Sequence, residues 1–402
     1  MLNHINPHDI YSLYIHIPFC TSKCSYCAFY SEVISNVVEE RKTFGQKIIQ
    51  ELRFLVGNLE TPFSTAYIGG GNPGLLPIED LQGLLDLIGT HGPTGETSIE
   101  MNPESLRIEH ETLFDHGLDR LSIGIQSMNE RHVKTLGRNA NISINMRAAS
   151  IIREFRKSKS FGLNCDLVTC IPGQTIEDAI SDIDVVIALF NPNHISLYNL
   201  TVEEGTPLAD RVDNGTLQVM DEDGQAEMLQ ACWDHLKSRG FEHYEISNFS
   251  RDNAGRSHHN ERYWRLENYI GIGPSAAGTL FKSDSQALRT NGVNNLHAYV
   301  DKAPFTTYTY EILDERQLML ETLLVALRTR EGIDKRVWNR RFSYDFQMLF
   351  RDRVSYLSTI DPYLFSDTEV RFSLTEKGFM VLDAIIIHMS EALEICKDTE
   401  PT

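Results

Sequence analysis

Between Ser12 and about Ser250 the chain alternates short apolar segments typical of strands with longer segments that carry the period of a helix. This alternation constrains the fold strongly, because strands joined by helices pair in parallel and are covered by those helices. The strand-like segments are SLYIHIPF (12–19), TAYIGG (65–70), SIEMNP (98–103), RLSIGIQS (120–127), LNCDLVTCIP (163–172) and HISLYNLTV (194–202). Six such units rather than eight predict an α/β fold, a partial (β/α)6 barrel with an open side.

The pattern changes after about residue 241. EHYEISNFS indicates a further strand, residues 251–262 are polar and loop-like, and YIGIGPSAAGTL (269–280) is rich in small residues that allow backbones to approach closely. We expect a boundary near 300–308, after which the chain is mainly helical. The sequence therefore predicts a barrel domain over 1–300, with an extension over about 241–300, and a smaller, mainly helical domain over 301–402.

The net charge of −19 argues against non-specific binding to nucleic acid, which needs a basic surface. No apolar run approaches the roughly 18 residues of a membrane span, and MLNHINPHDIYS lacks the features of a secretory signal. Seven cysteines, three of them clustered, suit a reducing compartment. A cytoplasmic protein is expected.

Polar and glycine-rich residues follow the predicted strands. A cysteine loop comes after the first strand and Gly69–Gly71 after the second, while Glu100 and Gln126 lie late in the third and fourth. The carboxyl ends of barrel strands are where such folds carry their chemistry. We therefore expect the functional site at this end of the barrel.

The cysteine loop reads CTSKCSYC, with Cys20, Cys24 and Cys27 spaced C-x3-C-x2-C. Thiolates suit zinc or iron–sulfur clusters, but structural zinc usually takes four protein ligands in two separated pairs. No second Cys/His pair follows nearby. Three thiolates that hold three irons of a [4Fe–4S] cube, with the fourth iron open, fit the spacing better than zinc.

C-x3-C-x2-C after an apolar first strand resembles the radical S-adenosylmethionine (SAM) superfamily. The segments YIHIPFC, GGGNP, RLSIGIQS, IPGQT and HISLYNLTVEEGTPL are together similar to its HemN/HemW branch, and LLVALRTREGID with LTEKGFMVLD resembles the helical C-terminal domain of that branch. The resemblance covers most of the chain. It implies a [4Fe–4S] cluster on the three cysteines, with SAM chelating the open iron.

Matching motifs also imply a SAM-binding set, which comprises Tyr14, Gly70, Gly71, Asn72, Glu100, Gln126, Arg138 and Asp166. GGGNP matches the GGGTP motif that meets the SAM amino group, and Asn72 stands where that motif has Thr. Taken singly, each residue has a plainer interpretation, such as strand core for Tyr14, a solvated helix-start charge for Arg138 or a strand-end cap for Asp166.

Two functions occur in this branch. In oxygen-independent coproporphyrinogen III dehydrogenases the motif has a further cysteine, C-x3-C-x2-C-x-C, and a long N-terminal arm precedes it. This chain has Phe29 at the position of that cysteine and only thirteen residues before Tyr14. Haem chaperones carry a motif that resembles H-N-x-x-Y-W, matched here by HNERYW (259–264). The resemblance thus implies haem binding through His259, Tyr263 and Trp264, with His258 as a second candidate ligand.

The function expected from the resemblance is a haem chaperone that delivers haem to acceptor proteins, including membrane-bound respiratory enzymes. Cleavage of SAM remains open, and an electron donor such as flavodoxin or ferredoxin and a homodimer are further expectations. The alternatives are an oxygen-independent coproporphyrinogen III dehydrogenase or another radical SAM tetrapyrrole enzyme. A plainer interpretation of HHNERYW is a loop with a surface histidine and two anchoring aromatic rings.

Overall fold

The computed structural model describes residues 4–92, 94–139 and 141–398. Over these residues, twelve strands form one sheet in the order β14-β13-β12-β11-β1-β4-β5-β6-β7-β8-β10-β9, and β2-β3 and β15-β17-β16 form two smaller sheets. The strands are β1 (Ser12–Ile17), β2 (Phe19–Cys20), β3 (Glu32–Val33), β4 (Ala66–Gly70), β5 (Thr97–Met101), β6 (Arg120–Gln126), β7 (Gly162–Thr169), β8 (His194–Asn199), β9 (Glu242–Glu245), β10 (Asn248–Ser250), β11 (Tyr269–Ile272), β12 (Ala277–Ser283), β13 (Gln286–Gly292), β14 (Tyr308–Leu313), β15 (Ile333–Asp334), β16 (Phe365–Asp367) and β17 (Arg371–Leu374).

The α-helices of the described residues connect and flank these strands. They are α1 (Val38–Val56), α2 (Ile78–His91), α3 (Glu130–Thr135), α4 (Ile142–Phe155), α5 (Ile176–Phe190), α6 (Pro207–Asp213), α7 (Glu222–Ser238), α8 (His258–Trp264), α9 (Leu296–Asp301), α10 (Glu315–Ala326), α11 (Lys335–Arg341), α12 (Phe346–Ile360), α13 (Glu376–Phe379) and α14 (Leu382–Ser390). The segment Ile108–His116, which follows β5, is a 3-10 helix. None of the described helices is both long and apolar enough to cross a bilayer.

The six predicted strands are β1, β4, β5, β6, β7 and β8, which lie side by side and parallel. β11 adds a further parallel strand beside β1, and β10 pairs antiparallel with β8. Within the described residues the two edge strands, β14 and β9, do not pair with each other, so the sheet stays open. The α/β fold with a mainly helical C-terminal region is confirmed.

Burial on both faces explains the apolar strands. All residues of β6 are buried, and α2 covers the sheet with Leu81, Leu84, Leu85 and Ile88, a spacing that places them on one face of the helix. The main sheet continues through β14 to Leu313, because β14 pairs with β13. The division of the chain near residue 300 stays a prediction.

The C-terminal region adds a group of aromatic rings to the common hydrophobic core. Trp338 contacts Phe346 and Phe350 in edge-to-face geometry, with ring centroids 5.5 and 5.3 Å apart. The region is tied to the barrel by Glu376, which lies 2.8 Å from the Lys237 ammonium and 3.2 Å from the His243 ring. Such aromatic pairs and part-buried ion pairs fix the position of α13 against α7 and β9.

Candidate functional site

The cysteine loop leaves the barrel at the end of β1 and is closed at its base by the short β2–β3 ladder, in which Cys20 pairs with Val33. Cys20, Cys24 and Cys27 are all partly buried and free of disulfides. The Ser25 amide donates to the Leu136 carbonyl at 3.0 Å, which fastens the loop to the end of α3. The three thiols therefore share one anchored loop at the carboxyl ends of the strands, the C-terminal rim.

The donor set of this loop discriminates between metals. Among the described residues, no three His, Cys, Asp or Glu side chains are arranged to hold a single metal ion. Thiolates that each bind a different iron of a cube need not converge on one point, whereas zinc ligands must. Three thiols on one loop are the donor set that a [4Fe–4S] cluster with one open iron requires.

Burial favours the protonated form of two of these thiols. It raises the pKa of Cys20 to about 11 and also raises the pKa of Cys24, where the Arg138 guanidinium opposes the effect. Arg138 Nη1 lies 4.0 Å from Cys24 Sγ. Because a metal binds the thiolate, ligation at this loop would release protons.

The glycine loop after β4 is packed tightly against the cysteine loop. Gly70 has φ +110°, and a β-carbon built on it would lie 2.7 Å from the ring of His16. A β-carbon on Gly71 would lie 2.5 Å from the carbonyl oxygen of Phe19, next to Cys20. Only glycine fits both positions, and its bare backbone is also what a close-lying ligand requires.

Asn72, the departure from GGGTP, is fully buried. Its Oδ1 accepts hydrogen bonds from the Asn102 amide at 3.2 Å and from the Ser105 hydroxyl at 2.8 Å. Its Nδ2 is buried without a hydrogen-bond partner among the described residues. The side chain thus links the loop after β4 to the loop after β5.

Gln126 and Arg138 meet above the end of β6. Arg138 Nη2 donates to the Gly124 carbonyl at 2.7 Å and to Asn102 Oδ1 at 3.0 Å. Gln126 has φ +67° and turns its amide toward Gly124, where an added β-carbon would lie 2.9 Å from Gln126 Nε2. The structure therefore brings these two predicted residues together at Gly124, and Arg138 also lies beside Cys24.

Tyr14, Glu100 and Asp166 lie deeper, around an inner cavity of about 220 Å³. The Tyr67 hydroxyl donates to Glu100 Oε1 at 2.5 Å, and the Gly70 amide donates to Glu100 Oε2 at 3.4 Å. Burial raises the pKa of Glu100 to about 7 despite these hydrogen bonds. Asp166 accepts from Asn164 at 2.7 Å and from Ser122 at 3.1 Å.

The HNERYW segment lies at the opposite end of the barrel, the barrel base. Its residues form α8, and the His259 amide donates to Glu96 just before β5, at 3.2 Å. The His259 side chain is fully buried, with Nδ1 2.8 Å from the Thr65 hydroxyl and Nε2 2.7 Å from the Tyr263 hydroxyl. Burial lowers its pKa to about 3, so the ring is neutral. Both ring nitrogens are engaged in this structure.

The structure thus divides the predicted site residues between two ends. The cysteines, Gly70, Gly71, Gln126 and Arg138 lie at the C-terminal rim, and His259 lies at the barrel base. Tyr263 lines the inner cavity between them. Trp264 faces away from it and contacts Tyr244 edge-to-face, with ring centroids 5.8 Å apart.

Sequence reasoning missed Tyr67, which connects Glu100 of the predicted SAM-binding set with His259 of the predicted haem set. Its hydroxyl bonds Glu100, and its ring stacks on His259 with centroids 5.1 Å apart. It is paired with Tyr14 in the β1–β4 register. The matching alternation in SLYIHI and TAYIGG was the available signal, because neighbouring parallel strands present aligned residues on the same face.

Residues 14–186 match the family described as the radical SAM superfamily, and residues 313–381 match the HemN C-terminal domain. The architecture is that of a solved structure, coproporphyrinogen III oxidase (HemN) from Escherichia coli, a radical SAM enzyme. The TM-score is 0.77 at 19% identity, over 97% of this chain and 92% of that one. Fold and cysteine loop together define a radical SAM protein, and this class implies a [4Fe–4S] cluster and SAM.

The relatives with curated names narrow the class. The chain is 30% identical over 374 residues to the heme chaperone HemW of Lactococcus lactis, covering 92% of this chain and 94% of that protein. It is 32% identical to the mitochondrial radical S-adenosyl methionine domain-containing protein 1 of Danio rerio, covering 81% and 74%. The chain therefore belongs to the HemN/HemW branch of the radical SAM superfamily, together with the heme chaperones HemW.

Proposed function

We propose that this protein is a haem chaperone that binds a [4Fe–4S] cluster, SAM and haem and transfers haem to acceptor proteins. The observation that carries the proposal is the match, over more than nine tenths of the chain, to proteins named heme chaperone HemW in Lactococcus lactis and Buchnera aphidicola. Phe29 supports it, because a dehydrogenase-type motif would have a further cysteine there.

In this proposal Cys20, Cys24 and Cys27 hold the cluster. These three thiolates would hold a cluster with an open iron, which would supply one-electron reduction chemistry toward SAM. The protein's own contribution is to anchor the loop through Ser25 and to place the Arg138 cation beside Cys24, where it favours the thiolate.

The proposed SAM-binding residues lie at two depths in the barrel. Gly70, Gly71, Asn72, Gln126 and Arg138 border the cysteine loop, where bare backbone and two side-chain donors suit a carboxylate and an amino group. Tyr14, Glu100 and Asp166 surround the inner cavity below. Glu100 is held by Tyr67 and Gly70 and offers an acceptor for hydroxyl or ammonium groups.

Haem binding in this proposal centres on α8, with His259, Tyr263 and Trp264. His259 is neutral and so has the form of imidazole that ligates iron, but Thr65 and Tyr263 occupy both its nitrogens. Ligation by His259 therefore requires one of these hydrogen bonds to break. His258 is partly exposed and paired only loosely with Glu261, at 3.4 Å.

Two assays on anaerobically reconstituted protein test the proposal. We expect a saturable Soret change on titration with haem, and no vinyl product at a catalytic rate with SAM, a reductant and coproporphyrinogen III. Formation of vinyl product at a catalytic rate would show that the protein is a dehydrogenase and not a chaperone. Absence of haem binding would contradict the proposed function altogether.

The haem ligand is tested by comparing His259→Ala with His258→Ala in the same titration. If His259 ligates the iron, its removal weakens haem binding by about tenfold or more, while the iron–sulfur absorbance is retained. Weakening by His258→Ala alone would assign the ligand to His258. Far-UV circular dichroism of each variant separates loss of the ligand from loss of the fold.

A further inference from the structure

A second and larger cavity, here called the base cleft, lies outside α8 between the barrel base and the C-terminal region. Its volume is about 1100 Å³, just above the roughly 300–1,000 Å³ typical of small-molecule sites. Its walls come from α8 through Trp264 and Arg265, from β12 through Phe281, and from α11 through Arg340 and Arg341. The base cleft therefore has room for a ligand larger than an ordinary metabolite.

The base cleft is richer in cations, relative to acids, than the acidic chain as a whole. Seven Arg and Lys residues line it beside six Asp and Glu residues, whereas the whole chain has a net charge of −19. The cations are Arg256, Arg262, Arg265, Lys282, Arg340, Arg341 and Arg371. Such a local excess over the rest of the surface favours an anionic ligand.

Several of these cations lack a full set of partners. Among the described residues, neither Arg340 nor Arg341 has a carboxylate within ion-pair distance. Arg256 Nε is buried without an acceptor, although Nη2 of the same side chain pairs with Glu242 at 2.9 Å. Arg341 instead lies 4.3 Å from the Phe281 ring centroid and donates to the Leu266 carbonyl at 3.1 Å. Because a part-buried cation without a carboxylate partner is costly, Arg341 would gain from an anion in the base cleft, and its exposed neighbour Arg340 could pair with the same anion.

The remaining wall is aromatic. Trp264, Phe281, Trp338 and Phe342 all line the base cleft, and His8 supplies an imidazole at its edge. Such a site suits a flat, apolar ligand ring that carries carboxylates, because the aromatic side chains can cover the face of that ring and the arginine guanidinium groups can bind its carboxylates.

We propose that the base cleft binds haem as a planar tetrapyrrole dicarboxylate. The ring lies against Trp264 and Phe281, and Arg340, Arg341 and Arg256 receive the two propionates. This proposal rests on the proposed function and places the porphyrin on the outer side of α8, opposite the inner cavity. Of the predicted haem residues, Trp264 lines the base cleft and His259 and Tyr263 do not.

The test is a titration of the full-length protein with haem and, in the same detergent, with the dimethyl ester of haem. Arg340→Gln/Arg341→Gln should raise the Kd for haem by about tenfold or more, because charge-assisted contacts to carboxylate are lost. The ester lacks carboxylates and should bind the variant as it binds the wild type. Arg53→Gln/Arg351→Gln removes the same charge at exposed positions outside the base cleft and should leave the Kd unchanged.

A steric variant makes the test independent of the arginines. Val337 lines the base cleft and its side chain is partly exposed, so Val337→Trp fills the space and should weaken both haem and ester. If Arg340→Gln/Arg341→Gln and Val337→Trp both bind haem with wild-type affinity, haem does not bind in the base cleft. The proposed function would still stand. A wild-type protein that binds no haem would overturn both.

Discussion

At the residue scale, the buried His259 joins three parts of the barrel. Its ring bonds Thr65 and Tyr263 and stacks on Tyr67, whose hydroxyl in turn holds Glu100. Burial keeps the ring neutral, so it acts as a hydrogen-bonding spacer between polar groups that would otherwise be unsatisfied. This environment explains why a histidine, and not an apolar residue, packs here.

His259→Ala should lower the free energy of unfolding by about 2–4 kcal/mol, because it opens a cavity and leaves Thr65 and Tyr263 without their partner. Urea denaturation measures the change. His258→Ala is the matched control, since its side chain is 45% exposed, and it should change stability by less than about 0.5 kcal/mol. Equal stability of the two variants would contradict the structural role of His259.

At the element scale, the junction between β2 and the glycine loop sets the position of the cysteine loop. The Gly71 amide donates to the Ile17 carbonyl at 2.8 Å, and its α-carbon faces the backbone of Phe19. No side chain fits between these segments without moving β2 and, with it, Cys20. The glycine is thus needed for packing, independently of any ligand.

Gly71→Ala should reduce the iron and labile sulfide bound per chain after anaerobic reconstitution by about half or more, because the β-carbon would lie 2.5 Å from the Phe19 carbonyl. Gly89→Ala in α2 is the control. A β-carbon there meets no described atom within 4 Å, and it should stabilise the helix by up to about 1 kcal/mol. Full cluster content in Gly71→Ala would contradict the predicted displacement of Cys20.

At the scale of the whole molecule, Glu376 couples the C-terminal region to the barrel. Hydrogen bonds from His243 and Lys237 lower the pKa of Glu376 to about 2. An acid with a lowered pKa adds stability above its unfolded value, near 4.3, and this stability is lost as the pH falls toward the folded value. The contact should therefore weaken in acid between about pH 4 and pH 2.

Glu376→Gln should remove about 1 kcal/mol of stability at pH 7, a figure that allows for solvent screening of this part-exposed pair. Between about pH 4 and pH 2 the stability difference from the wild type should vanish. Thermal unfolding across this pH range measures both effects. Glu369→Gln, at an exposed position of the same region, should track the wild type at every pH; if it shifts as Glu376→Gln does, general charge repulsion is the cause.

The sequence by itself determined the local features. Strand–helix alternation predicted the six parallel strands, because apolar period and turn residues act over a few neighbours. The order of the segments likewise predicted that the cysteine loop and the glycine loop lie at the same end of the sheet, since the carboxyl ends of parallel strands share an edge. The parallel strand β11 and the continuation of the sheet to β14 were not predicted, because their pairing joins segments far apart in the chain.

Only the tertiary structure decided where HNERYW lies. The motif forms a short helix at the barrel base, and its contacts with Thr65 and Glu96 depend on strands more than 160 residues earlier. Such contacts leave no local pattern, because the chain brings the partners together only when α8 packs against the sheet. The same holds for the base cleft, whose walls α8, β12 and α11 come from separate segments and acquire a common ligand site only by packing.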